Sequence, residues 1–181
     1  IETFFQQINL CDTLEIEPTN NGDILITTSD PECPTDQSNL VYRAADKLRA
    51  KIGDTHLGCR IHIDKKIPMG GGLGGGSSNA AAVLTALNRL FDHPFSSADM
   101  DSMGLSLGAD VPFFLFGKPA LASGIGEKLE AYPGPLPFHI VVVYPGFRVS
   151  TGEVFQNLNL GLTNCEKKFK KPFSIKIDFD P

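Results

Sequence analysis

Between residues 70 and 76 the sequence reads Gly-Gly-Gly-Leu-Gly-Gly-Gly, and Ser77-Ser78-Asn79 follow directly. Ordering that much glycine costs conformational entropy. Such a stretch suits a place where backbone must approach a ligand closely or take positive φ. The Ala- and Leu-rich residues from Ser77 to Phe91 predict a strong helix immediately after it. A helix start offers free N–H groups and a partial positive charge, which suit a polyphosphate. Ser77, Ser78 and Asn79 add side-chain donors in that first turn. A flexible linker is the plain alternative, but linkers rarely run straight into a strongly helical segment. No Lys follows Gly76, which argues against a Walker A loop. Gly70, Gly72 and Gly75 satisfy GxGxxG, yet neither Asp92 nor Asp99 follows a clear hydrophobic strand, as a dinucleotide fold would want.

A second candidate is Asp110, within Leu107-Gly108-Ala109-Asp110-Val111-Pro112-Phe113-Phe114. A carboxylate leading into an apolar strand is costly unless it is paired or used; otherwise it is a helix-terminal or turn residue. Lys65 and Lys66 stand between a strand and the glycine run, where a solvated pair is the simple reading. Thr151 and Phe155 lie four apart and can share a helix face, with core packing the plain reading of Phe155. His56, His62, His93 and His139 lack metal-ligand spacing and read as structural or surface residues. Cys11, Cys33, Cys59 and Cys165 lie far apart without a CxxC pair, so free thiols are expected. No metal-ligating residue is assigned.

Elements must hold these residues. Residues 14–17 and 24–27 predict short strands, with Asn20-Asn21-Gly22-Asp23 as a hairpin turn between them. Ser38 is expected to cap a helix over 39–51, with Leu40, Ala44, Ala45 and Leu48 on one face. Residues 59–64 alternate as a half-buried strand. Ser96 or Ser97 caps a helix ending near Leu107-Gly108. Strands are expected at 113–116, 119–122, 128–132 and 138–144, and a short capped helix at Ser150. Residues 173–179 alternate as a strand without a placed neighbour. Mixed elements without regular βαβ alternation favour an α+β fold.

The chain has 181 residues, 41% hydrophobic and 20% charged, which is globular composition. Its formal net charge of −5 argues against a general nucleic-acid surface. No apolar run has the length of a membrane helix. No nucleic-acid or membrane partner is expected, and the expected location is cytoplasmic.

The run from Pro68 and Met69 through Gly70, Gly71, Gly72, Leu73, Gly74, Gly75, Gly76, Ser77, Ser78 and Asn79 to Ala81 resembles the ATP-binding loop of the GHMP small-molecule kinases. Gly108-Ala109-Asp110-Val111-Pro112, Gly124-Ile125-Gly126-Glu127, Tyr144-Pro145-Gly146, Ser38-Asn39-Leu40, Phe4-Phe5-Gln6 and Asp12-Thr13-Leu14 are similar to further segments of that family, in order. The likeness is sharpest to the branch whose acceptor is a cytidine diphosphate-linked methylerythritol. It implies a two-lobed GHMP kinase fold. Residues 1–145 would be an N-terminal lobe of the ribosomal S5 domain 2-like type, lacking its first strands. Residues 146–181 would begin an incomplete C-terminal lobe. It implies ATP and Mg²⁺, with Asp110 taking the proton from the acceptor hydroxyl. It puts Lys65 beside the adenine, Asn39 and Leu40 on the other side of the nucleoside, and Thr151 and Phe155 at the cytosine. A small-molecule acceptor and a monomer or homodimer are expected. Other acceptors within the family (homoserine, mevalonate or a sugar) and an inactive ATP-binding module are the rivals. The family's Pro-Ala-Lys-x-Asn-Leu segment, with the Lys that pairs with this Asp, is not in this sequence, nor is its Gly-Thr-Gly motif. The sequence is therefore expected to be part of a longer chain.

Overall fold

A computed structural model describes residues 2–92, 94–132 and 139–146, all within the unit Ile1–Val149. The elements run β1 Glu2–Phe5, β2 Thr13–Thr19, β3 Ile24–Thr28, α1 Leu40–Ile52, β4 Gly58–Asp64, α2 Gly75–Leu90, α3 Ser97–Leu107, α4 Val111–Phe116, β5 Ala120–Ser123 and β6 Lys128–Ala131. This is a mixed α+β arrangement, as expected.

The alternating residues of β4 place Cys59, Ile61 and Ile63 inward, and all three are buried. β4 is the central strand of a sheet ordered β2-β4-β3. It runs antiparallel to β2, with Thr13 opposite Asp64, and parallel to β3, with Ile24 opposite Cys59. The expected hairpin between residues 14–17 and 24–27 therefore does not form, although both strands do. The turn at Asn20–Asp23 reaches across the start of β4 instead. Gly22 N–H donates to His56 O at 2.9 Å and Cys59 N–H to Asp23 O at 2.8 Å. Arg49 donates from its guanidinium to Gly22 O. A Cβ at Gly58 would lie 2.4 Å from Asp23 O, so only glycine admits β4 between its neighbours.

Helix α1 joins the parallel pair β3 and β4. Its cap is Asn39, whose side chain accepts from Val41 N–H at 2.9 Å. Ser38, the expected cap, bonds back to Asp36 instead. Val41, Ala44, Ala45 and Leu48 of α1 pack with Ala80, Val83, Leu84 and Leu87 of α2 over the inward face of this sheet. Ser96 caps α3 through a capping box with Asp99, as its spacing predicts. Asn88 of α2 donates to Phe95 O and accepts from Phe95 N–H, both at 3.2 Å, closing the turn between the helices.

Residues 113–116 are helical, not a strand. Pro112 sits in the first turn of α4, where its missing N–H costs nothing. Gly117 ends the helix in the left-handed region, and its N–H donates to Phe113 O at 3.1 Å. A short apolar run gives no period to separate a buried helix from a strand. Burial of Val111, Pro112 and Phe113 decides for the helix.

A second sheet, ordered β1-β5-β6, is antiparallel throughout. Its strand β1 has no counterpart among the expected elements. Phe5 packs on Phe113 with ring centroids 4.9 Å apart, linking this sheet to α4. The strand expected at 138–144 is absent over 139–144, where Val141 and Val143 are 85% and 84% exposed. A strand needs a ladder partner, and none pairs with it among the described residues. The helix expected at Ser150, the alternating stretch 173–179, and all of 146–181 beyond Gly146 lie outside the described residues.

Candidate phosphate-binding site

The glycine run forms a loop from β4 to α2. Gly70, Gly72 and Gly74 have φ of 68°, 69° and 69°, while the residues between them do not. Alternating hand along a backbone turns successive N–H groups towards one side, a nest that suits an anion. Gly74 is the residue before α2, so Gly75 and Gly76 already belong to the helix. The first turn of α2 holds no acidic residue, leaving its partial positive charge uncompensated. A Cβ at Gly72 would meet nothing within 4 Å, so that side of the loop is open. One at Gly74 would lie 2.8 Å from the Phe114 ring of α4.

The serines and the asparagine divide. Ser78 Oγ donates to Gly75 O at 2.9 Å and stays within the helix. Ser77 Oγ lies 3.9 Å from the Cβ position of Gly108 and has no hydrogen bond among the described residues. Asn79 is buried, and its amide donates to Asp12 Oδ2 at 2.8 Å rather than facing the loop's open side.

The site's surroundings bring in both expected and unexpected residues. Leu40 Cδ1 comes within 3.5 Å of the Cβ position of Gly76, so the start of α1 does border the loop. The Asn39 amide is occupied by the α1 cap and by Pro34 O at 2.6 Å. The Tyr144 ring lies 3.4 Å from the Cβ position of Gly71, and Pro68 O is equally close. Met69 is half-buried in the turn before Gly70. Thr151 and Phe155 lie outside the described residues.

Lys65 differs from the solvated pair that its sequence suggests. Its side chain is 7% exposed and runs inward, with Nζ 2.5 Å from Asp12 Oδ2. Lys66 is the exposed member, 3.6 Å from Asp64. Lys65 therefore turns its charge away from solvent.

Asp12 lies in the Asp12-Thr13-Leu14 segment, but nothing local in the sequence gives it a role at the site. Its side chain is fully buried, yet it accepts from Lys66 N–H at 2.7 Å and Ile67 N–H at 2.8 Å, besides Lys65 and Asn79. Burial pushes its carboxyl up, but the bonds from Ile67, Lys65, Lys66 and Asn79 together outweigh burial and hold it below the ordinary carboxylate range. Its partners lie more than fifty residues away, so no local pattern reveals them.

Asp110 is the cap residue of α4 and exposed; its carboxylate accepts no hydrogen bond from the N–H groups of the helix start and has no other partner among the described residues. It leads into a helix rather than the expected strand. The Gly108–Ser77 and Phe114–Gly74 approaches bring the segment around it to the start of α2. The arrangement thus sets an anion nest, a helix start and a free carboxylate on neighbouring elements. No cluster of three or more His, Cys, Asp or Glu suited to a metal occurs among the described residues. Cys11, Cys33 and Cys59 are free, and burial raises the Cys59 thiol to about 11; Cys165 and His93 lie outside the described residues.

This chain is similar to known proteins. Residues 39–118 match the GHMP kinases N terminal domain family. The chain is 45% identical over 179 residues to a 4-diphosphocytidyl-2-C-methyl-D-erythritol kinase of Ralstonia nicotianae, covering 99% of this chain and 58% of that protein. It is 41% identical to the protein of that name from Histophilus somni (strain 2336), covering 99% of this chain and 56% of the relative. A crystal structure of 4-(cytidine 5'-diphospho)-2C-methyl-D-erythritol kinase superposes with a TM-score of 0.68 at 40% identity, covering 86% of this chain and 54% of that one. The chain thus spans little more than half the length of the relatives it matches. With the glycine nest and the helix behind it both inside the matched segment, residues 39–118 of this chain are a GHMP kinase N-terminal domain.

Proposed function

We propose that the protein is an ATP-dependent small-molecule kinase, a phosphotransferase with an alcohol acceptor. Its acceptor is the 2-hydroxyl of 4-diphosphocytidyl-2-C-methyl-D-erythritol, in isoprenoid precursor biosynthesis. The observation that carries the kinase reading is the nest at Gly70, Gly72 and Gly74 opening on the start of α2. The acceptor rests on the names of relatives 41% and 45% identical over nearly the whole chain. No helix among the described residues is long and apolar enough to cross a membrane, and we place the protein in the cytoplasm.

Phosphoryl transfer needs positioning and charge stabilisation more than covalent chemistry from the protein. In this reading the loop from Pro68 and Met69 through Gly76 and the first turn of α2 hold the triphosphate. The open side at Gly72 leaves backbone accessible to it. The free Ser77 hydroxyl is available to a phosphate oxygen, whereas Asn79 acts from behind the loop. Leu40 borders the nucleoside, and Asn39 fixes the α1 start from which Leu40 projects. Lys65 offers backbone to the base, since its ammonium is turned inward. Mg²⁺ supplies neutralisation of the transferring phosphates when bound. The residues present fit a triphosphate better than a protein-held ion, because no carboxylate pair stands beside the nest among the described residues, so the ion would arrive with the nucleotide. Asp110, exposed and without a partner among the described residues, accepts the proton of the attacking hydroxyl. Thr151 and Phe155 are assigned to the cytosine, Phe155 by stacking.

ADP release by the full-length gene product tests this. The acceptors are the cytidine compound, mevalonate, homoserine and galactose, each with ATP and Mg²⁺. Turnover with the cytidine compound alone is expected. Turnover with another acceptor would keep the kinase and change the substrate, and no turnover would leave a binding module.

A further inference from the structure

The Asp12 side chain is fully buried, yet it contacts both ends of the loop. It stands immediately before β2, so its backbone is anchored to the core sheet. Its Oδ1 accepts from Lys66 N–H and Ile67 N–H, the residues that lead into the loop. Its Oδ2 accepts from Asn79 in the first turns of α2, just past the loop, and from Lys65 Nζ. Lys65 Nζ in turn lies 3.5 Å from the Cβ position of Gly75, beneath the loop's last turn. Between these ends, six of the seven residues 70–76 are glycine, with little of their own to hold a shape. The loop's alternating φ values persist only if its ends are held at a fixed separation and twist.

We infer that Asp12 is a positioning residue for nucleotide binding, its buried carboxylate tying the strand end before the glycine loop to the helix start after it. This rests on the reading of that loop as the ATP site. A carboxylate suits the role because it only accepts, and all four groups facing it donate. A carboxamide of the same size brings its own NH₂ group. The Asn79 amide can flip to meet it, but the Lys65 ammonium cannot, and is left buried without a counter-charge.

The test uses the full-length protein and two variants, Asp12→Asn and Asn79→Leu. Asn79→Leu removes only the helix-side bond and leaves the Asp12–Lys65 pair whole. It therefore decides the matter should Asp12→Asn fail to fold. Calorimetry gives Kd for a non-hydrolysable ATP analogue, steady-state kinetics give KM for ATP and for the acceptor, and melting gives Tm. Small misplacements in a site lower rates and affinities by about ten- to a hundredfold. We expect Kd and KM for the nucleotide to rise by about tenfold or more in each folded variant, with the acceptor KM unchanged. A purely structural role would lower Tm and the active fraction while leaving the nucleotide Kd of the folded protein within about twofold of wild type, and that result would overturn the inference. Wild-type protein that binds no ATP analogue would overturn the kinase reading itself, before any variant is compared.

Discussion

Asp110 and Asp12 show two fates for a carboxylate in one small fold. Asp110 is exposed and unpartnered among the described residues, as a proton acceptor must be to meet a substrate. General-base catalysis contributes about 10²–10⁴ in rate. Asp110→Asn is therefore expected to lower kcat by about that factor while leaving the ATP-analogue Kd unchanged; an equal loss of both would make Asp110 a folding residue. At the cytosine, Phe155→Ala should raise KM for the cytidine acceptor and not for ATP, since base stacking on an aromatic contributes about 1–3 kcal/mol. Equal effects on both substrates would remove Phe155 from that role. Asp110 stood out in the sequence because a carboxylate beside Val-Pro-Phe-Phe is unusual. Asp12 did not, because its partners at Lys65, Lys66, Ile67 and Asn79 come together only when β2, β4 and α2 assemble. The simple reading of Lys65 as half of a solvated pair fails for the same reason: only the buried Asp12 explains the direction of its side chain.

The glycine loop and α2 were legible as elements because composition alone marks them. What the sequence could not supply was the hand of each glycine. Gly72 and Gly74 share nearly the same positive φ but differ in surroundings. An L-residue in the left-handed region costs about 1–2 kcal/mol. Gly74→Ala adds a clash with the Phe114 ring, so it should lower Tm and nucleotide affinity more than Gly72→Ala does. The reverse order would mean that the loop relaxes away from α4. The helix α3 carries a second element-level consequence. A hydrogen bond from Lys51, with those from the Ser96 hydroxyl and backbone, holds the Asp99 carboxyl at about 2. An unfolded Asp titrates near 3.9. The depressed value stabilises the fold above about pH 4, and that contribution fades as pH falls towards 2. Asp99→Ala should thus lower Tm at neutral pH, with the difference from wild type shrinking in acid; a gap that persists at pH 2 would assign it to packing. The strand expected at 113–116 failed for want of period in Val-Pro-Phe-Phe-Leu-Phe, where burial against α2 and α3 chose a helix.

Across the whole molecule, the β2-β4-β3 sheet and helices α1 to α3 share one core. Leu84 is fully buried between them. Leu84→Ala should lower stability by about 2–5 kcal/mol, and would melt the phosphate site with the rest. A site that survives at temperatures where the core has melted would contradict a shared core. The strands of this sheet were legible from alternation, but their order was not. Asn20-Asn21-Gly22-Asp23 favours a local hairpin, and the long-range demand of β4 for two neighbours prevailed. The most direct measurement is the identity of the product. Full-length protein, ATP, Mg²⁺ and 4-diphosphocytidyl-2-C-methyl-D-erythritol would be incubated together, and the acceptor followed by mass spectrometry and phosphorus NMR. One added phosphomonoester on the 2-hydroxyl, matched by ADP, is expected. An unmodified acceptor, or a phosphate on another hydroxyl, would contradict it.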